Sequence, residues 1–200
     1  MASSLTVAGF LWAALSVTAA ILCCTGFYMP FWIQGRLLGK VDAYFSSFRR
    51  CNYPRIGLHG SVEIVEECGR YAGFWDIPSP WWKASTVLVG TASAISLLVA
   101  VTAAAACCVT YVIHTNTAKI AGGLQILAAF LILIGTILYP IGWDNQEVRE
   151  SCGNLSHVYQ LGTCRLSWSL YLLVVAFLLL VVCFCLSFCA SRVRVGSFRI

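Results

Sequence analysis

Residues 166–191, LSWSLYLLVVAFLLLVVCFCLSFCAS, contain no Asp, Glu, Lys or Arg. An α-helix rises about 1.5 Å per residue, so roughly twenty residues cross a hydrocarbon core about 30 Å thick. The stretch is long enough, and it lacks the charged stripe that a soluble core helix turns toward water. Three earlier stretches read the same way and are equally free of charge: Val7–Tyr28, 84–113 and 120–142. The 200 residues therefore read as one tetraspan unit, residues 1–200, a membrane all-α four-helix transmembrane bundle. Composition agrees: 60% of residues are apolar and 10% charged, against a charged fraction of about 25% in typical soluble domains. The first stretch has no basic region before it and is longer than the 7–15 apolar residues of a signal peptide, so it reads as a retained helix.

Four spans put both termini on one side, with the cytosolic turn 114–119. The longer loops, 29–83 and 143–165, lie on the other. Basic residues do not settle which side is outside, because most of them sit in the long loops. Cysteines and a sequon do better. Cys51 and Cys68 lie in the first loop, Cys152 and Cys164 in the second, and paired loop cysteines fit an oxidising compartment. Asn154-Leu155-Ser156 is a glycosylation sequon in the second loop. Both place the loops outside, with both termini cytosolic in a multi-pass protein of the plasma membrane.

The four loop cysteines allow three connectivities. Local pairing, Cys51 with Cys68 and Cys152 with Cys164, closes the smallest loops and is the expected one; free thiols or cross-loop bridges are the alternatives. Each bridge would contribute roughly 3 kcal/mol by restricting the unfolded chain. Cys108, Cys185 and Cys189 lie toward the cytosolic helix ends and are candidates for S-palmitoylation, the plain alternative being small buried side chains. Cys and His show no metal-ligand spacing, and His59, His114 and His157 lie in separate segments. No catalytic motif is present, and no cofactor, metal, nucleic acid or small-molecule substrate is expected.

Membrane helices associate where small side chains let backbones approach. Ala92, Ser96, Ala100 and Ala104 recur every fourth residue and form such a stripe, for packing within the bundle or against a partner's helix. Pumps and proton-coupled transporters need ionisable groups inside the membrane. The four stretches have none, which disfavours a channel or transporter made by this chain alone.

In the first loop, 43–51 and 61–68 are strand-like, and a Cys51–Cys68 bridge would tie them into an antiparallel pair. Residues 69–77 are expected to form a short helix. Arg49, Arg50, Arg55 and Arg70 are expected to neutralise Glu63, Glu66, Glu67 and Asp76 of the same loop. Trp32, Trp81, Trp82 and Trp143 are expected at the outer membrane boundary, where Trp is enriched.

Several segments carry a family resemblance. Phe48-Arg49-Arg50-Cys51-Asn52-Tyr53-Pro54, Val65-Glu66-Glu67-Cys68-Gly69-Arg70-Tyr71-Ala72, Ala121-Gly122-Gly123-Leu124-Gln125 and Leu138-Tyr139-Pro140-Ile141-Gly142-Trp143-Asp144 are among them. With Ser151-Cys152-Gly153 and Leu161-Gly162-Thr163-Cys164, they resemble the lipoma HMGIC fusion partner-like (LHFPL) tetraspan family, of the wider claudin group, in order along nearly the whole chain. The resemblance implies a claudin-like helix bundle topped by a small extracellular antiparallel sheet, built from both outer loops. It also implies a non-enzymatic accessory protein that contacts membrane lipids and another integral membrane protein: a channel, receptor or adhesion protein. The other reading is a claudin-like cell-contact protein that shapes adhesion or paracellular permeability. Claudins carry a Gly-Leu-Trp element with closely spaced cysteines, which this first loop lacks.

Overall fold

A computed structural model of the chain describes residues 7–37, 41–56, 62–108 and 115–190. At 54–56, 62–63, 106–108, 115–116 and 189–190 it describes the backbone alone. Four helices are long and apolar enough to cross a membrane: Val7–Tyr28, Pro80–Ala105, Thr117–Trp143 and Trp168–Phe188. They belong to α1 (Val7–Tyr28), α2 (Pro80–Cys108), α3 (Thr115–Leu138, continued by a 3-10 segment Tyr139–Trp143) and α5 (Trp168–Ala190). α2 begins at Pro80, ahead of the charge-free stretch. Proline suits the first helical position because its missing N–H would be unpaired there anyway, and Ser79 Oγ accepts from the Trp81 N–H at 3.3 Å.

Between α1 and α2 lie β1 (Ile33–Leu37), β2 (Val41–Phe45), β3 (Arg49–Ile56) and β4 (Val62–Arg70). The second loop adds a short helix, α4 (Gln146–Cys152), and a two-residue strand, β5 (Arg165–Leu166). The five strands form one antiparallel sheet in the order β4-β3-β2-β1-β5.

The first loop departs from its expected layout in three ways. The run 43–51 is two strands, broken at 46–48, where the Ser46 N–H bonds the Arg49 carbonyl at 2.8 Å and its hydroxyl accepts from the Arg49 N–H at 3.2 Å. Serine competes for backbone partners in this way and favours turns. Residues 69–77 form a helix only at Phe74–Asp76, a single 3-10 turn, because Gly69 and Arg70 finish β4. The antiparallel pair of β3 and β4 is interrupted by a register shift between Cys51 and Tyr53, with Asn52 at φ 56°. Asparagine tolerates that left-handed conformation, and Asn52 Nδ2 donates to the Asp42 carbonyl at 2.6 Å.

The chain divides into two compact units. The first comprises Met1–Cys24, Thr91–Leu131 and Val174–Ile200. Its core joins all four spans: Trp12 and Ala13 of α1, Val99 and Ala103 of α2, Ala121 of α3 and Cys183 of α5. Ala92, Ser96 and Ala100 are buried, whereas Ala104 is exposed and Ala103 takes the inward position. The seam steps by four residues and then by three, as a helix of 3.6 residues per turn requires to stay on one face.

Glycine sets the closest approach in this unit. A Cβ at Gly122 would collide with Ser187 Oγ and lie 2.7 Å from Ser187 Cβ. Gly122→Val is expected to cost about 1–3 kcal/mol by overpacking. The check is an SDS unfolding titration with Gly123→Val as control, since a Cβ at Gly123 meets nothing within 4 Å.

The same unit buries a polar chain. Trp12 Nε1 donates to Gln125 Oε1 at 3.1 Å, Gln125 Nε2 to Ser16 Oγ at 2.7 Å, and Ser16 Oγ to the Trp12 carbonyl at 2.7 Å. Hydrogen bonds between membrane helices average about 0.6 kcal/mol and reach about 1.7. Gln125→Leu breaks two of them and strands the indole N–H, so a loss of about 1–2 kcal/mol is expected, read by the same titration.

Candidate functional site

The second unit comprises Thr25–Gly90 and Ile132–Leu173 and holds the sheet, α4 and the adjoining ends of the helices. Four sets of contacts fuse the two loops within it.

The first is aromatic. Trp32, Trp82 and Tyr139 are fully buried and Trp143 nearly so. The Tyr139 ring stacks on Trp82 at 5.3 Å and meets Trp32 edge-on at 4.8 Å. Three polar tips are satisfied: Trp32 Nε1 donates to the Gly26 carbonyl at 2.7 Å, Trp82 Nε1 to the Tyr139 carbonyl at 3.2 Å, and Tyr139 Oη to the Phe45 carbonyl at 3.2 Å. Gly142 admits the Trp82 ring, which a Cβ there would strike. Three of the tryptophans expected at the lipid boundary, Trp32, Trp82 and Trp143, are thus core residues. The exposed tryptophans are Trp75, Trp81 and Trp168.

The second is the β1–β5 pairing, Ile33 with Leu166 and Gln34 with Arg165, extended by the Ser167 N–H to the Trp32 carbonyl at 2.8 Å. The third involves disulfides. Cys51 and Cys68 are bonded, facing each other across β3 and β4 with Cα atoms 4.0 Å apart. Cys152 and Cys164 are bonded within the second loop. β1 packs onto this second bridge at Gly35, where a Cβ would strike Cys164 Sγ and lie 2.9 Å from the Ser151 carbonyl oxygen.

The fourth is electrostatic. Asn145 caps α4, its Oδ1 accepting from the Val148 N–H at 3.0 Å. Glu147 falls in the first turn, where a carboxylate suits the helix dipole. Glu147 takes an ion pair from Arg50 of β3 through Oε1 and a hydrogen bond from Tyr71 Oη through Oε2 at 2.6 Å. Both charged side chains are about 23% exposed. Arg50 also lies over the rings of Tyr53 (4.0 Å) and Tyr71 (4.8 Å). Burial, then the Glu147 charge and hydrogen bond, hold the Tyr71 phenol far above its ordinary pKa. Among the described ion pairs, Arg50 turns to the second loop, and the only pair inside the first loop is Arg36 with Asp42.

Asn154 is exposed, beside exposed Leu155 and before buried Ser156. Cys185 is exposed on α5. The side chains of Cys108 and Cys189 lie outside the described residues, as do His59, His114 and Arg55. Among the described residues no group of His, Cys, Asp and Glu could hold a metal ion.

Four apolar spans carrying a disulfide-closed sheet between the first two define a tetraspan membrane protein, consistent with the claudin-like fold. Residues 8–192 match the family model described as "Lipoma HMGIC fusion partner-like protein", and the chain belongs to that family. It is 30% identical over 173 residues to human LHFPL tetraspan subfamily member 3 protein, covering 85% of this chain and 69% of that one. Human member 4 is also 30% identical over 85% of this chain, but only 66% of its own length is covered. Mouse member 3 is matched over 73% of its length. This chain thus spans about two thirds of the human relatives' length.

Proposed function

We propose that this protein is a non-enzymatic accessory or scaffolding subunit for another integral membrane protein, held through its outer unit and helix faces. The observation that carries the reading is the fusion of both loops into one unit that leaves Trp75, Leu155 and Tyr159 exposed. Elements tied this firmly present side chains at fixed positions, which lowers the ordering cost of recognition. The charge-free membrane stretches argue against ion or proton transport by this chain alone. In this reading the sheet is extracellular, the termini are cytosolic, the membrane is the plasma membrane, Asn154 is a glycan acceptor, and Cys108, Cys185 and Cys189 are acylation sites. Ala92, Ser96 and Ala100 serve intramolecular packing, since they are buried.

Proximity labelling in cells that naturally express the protein, followed by mild-detergent co-purification, tests the proposal. One dominant channel, receptor or adhesion protein is the expected result. Isolation of the chain alone overturns it, and recovery of junctional proteins with altered electrical resistance across a cell layer favours cell-contact organisation.

A further inference from the structure

A cavity of about 280 Å³ opens where the sheet meets α2, lined by Phe48, Arg70, Tyr71, Phe74, Ile77 and Thr86 among others. Its wall changes character with depth. Arg70 is exposed and is the charged member of that lining, while Ile77 is buried and Thr86 lies on α2, inside the candidate span Pro80–Ala105. Tyr71 Oη is already engaged by Glu147, which leaves Arg70 as the strong donor. No ion pair to Arg70 or Asp76 occurs among the described residues. Asp76 stands at the rim: its Oδ2 is 3.1 Å from where a Cβ on Gly73, a lining residue, would sit. Beside it Trp75 is 81% exposed, with Lys83 Nζ 5.5 Å from its ring centroid, and Phe74 is also exposed.

We infer that this cavity holds the head of a zwitterionic phospholipid, its phosphate on Arg70 and its ammonium toward Asp76. Guanidinium binds phosphate through paired N–H groups. A zwitterionic head meets Arg70 and Asp76 together, with Lys83 placed on the Trp75 ring. Trp75 and Phe74 suit the headgroup zone, where amphipathic rings are enriched, and Phe48 and Ile77 in the lining suit the glycerol and first acyl carbons. The opening at a membrane-spanning helix makes lipid, rather than a soluble anion, the occupant.

The test is native mass spectrometry of the full chain in detergent, titrated separately with phosphatidylcholine, phosphatidylglycerol and inorganic phosphate. A charge-assisted hydrogen-bonded contact contributes about 1.5–3 kcal/mol, so Arg70→Gln is expected to weaken phosphatidylcholine binding about tenfold or more. Asp76→Asn is expected to narrow the preference for phosphatidylcholine over phosphatidylglycerol. Lys119→Gln, an exposed lysine in the other unit, is the control and should change nothing. Equal phosphatidylcholine retention by wild type and Arg70→Gln overturns the inference. So does tighter phosphatidylglycerol than phosphatidylcholine binding by wild type, or displacement of lipid by inorganic phosphate. Arg70 and Asp76 sit at the cavity's mouth rather than in the core, and an SDS titration of each variant separates lost binding from lost folding.

Discussion

Glu147→Ala is expected to destabilise the outer unit by about 2–3 kcal/mol, among the largest effects of any single side chain there. The change removes the Arg50 ion pair and the Tyr71 hydrogen bond together, and leaves a half-buried guanidinium resting on two aromatic rings. A fully buried pair broken on one side costs about 3–5 kcal/mol, and the 23% exposure of both partners reduces that figure. Glu147→Gln keeps an acceptor for Tyr71 and a neutral partner for Arg50, so it should lose clearly less. Asp42→Ala breaks the Arg36 pair, whose side chains are far more exposed, and should cost no more than about 1 kcal/mol. SDS titrations of the three variants give the ranking. A loss from Glu147→Ala no larger than that from Asp42→Ala would remove the ion pair as the lock between the loops.

Tyr71 adds a pH signature to the same lock. Its folded pKa is raised above the ordinary value of 10.0. A raised folded pKa contributes stability that is fully present below the unfolded value and lost as pH rises beyond it, because the unfolded chain then releases a proton that the folded one retains. The wild type should therefore lose stability more steeply above about pH 10 than Tyr71→Phe, which has no phenol to ionise there.

Removing the two disulfides should have unequal effects. Closing loops of 17 and 12 residues predicts about 3 kcal/mol for each from chain entropy alone. The native-state surroundings separate them. Cys152 and Cys164 are buried, β1 packs onto their bridge at Gly35, and the Cys152 carbonyl accepts from the Thr163 backbone N–H and hydroxyl at 3.0 Å each. Cys68 is exposed, and the strands its bridge joins are already paired on both sides of it. Cys152→Ala/Cys164→Ala should thus exceed Cys51→Ala/Cys68→Ala in unfolding titrations of matched samples. The reverse order would mean that the second bridge does not organise the β1 contact.

The spans were readable because twenty or so uncharged residues have one stable arrangement in a bilayer, with every backbone polar group bonded inside its own helix. The outer unit was harder, for reasons that individual residues show. β1 reads IQGRL, with a glycine and two polar residues and little strand propensity; its place comes from β2 on one side and Leu166 on the other. β5 is two residues long and has no local signal at all. α4 carries a capping signal in Asn145-Gln146-Glu147, legible in principle but short. Trp82 and Tyr139 look like boundary markers because they flank spans, and only tertiary contact makes them core. Arg50 and Glu147 stand 97 positions apart, so no local pattern could pair them. Gln125, by contrast, is a polar residue in an apolar stretch, where an amide needs partners, so the sequence holds a signal for it that the four-span reading does not use.

The placement of β5 at the sheet edge beside β1 bears on biosynthesis. A ribosome emits β1 to β4 long before residues 165 and 166, with two further spans in between. Until the third span and the loop after it have emerged, β1 keeps an open edge, Gly35 faces an empty seat, Arg50 lacks Glu147, and Trp32 lacks the Tyr139 ring. The nascent first loop is then an unfinished object with exposed aromatic and strand-edge features, which chaperones recognise. A chain truncated before β5 should therefore be retained and degraded. Completion of the sheet acts as the chain's own report that the third span and the second long loop have arrived.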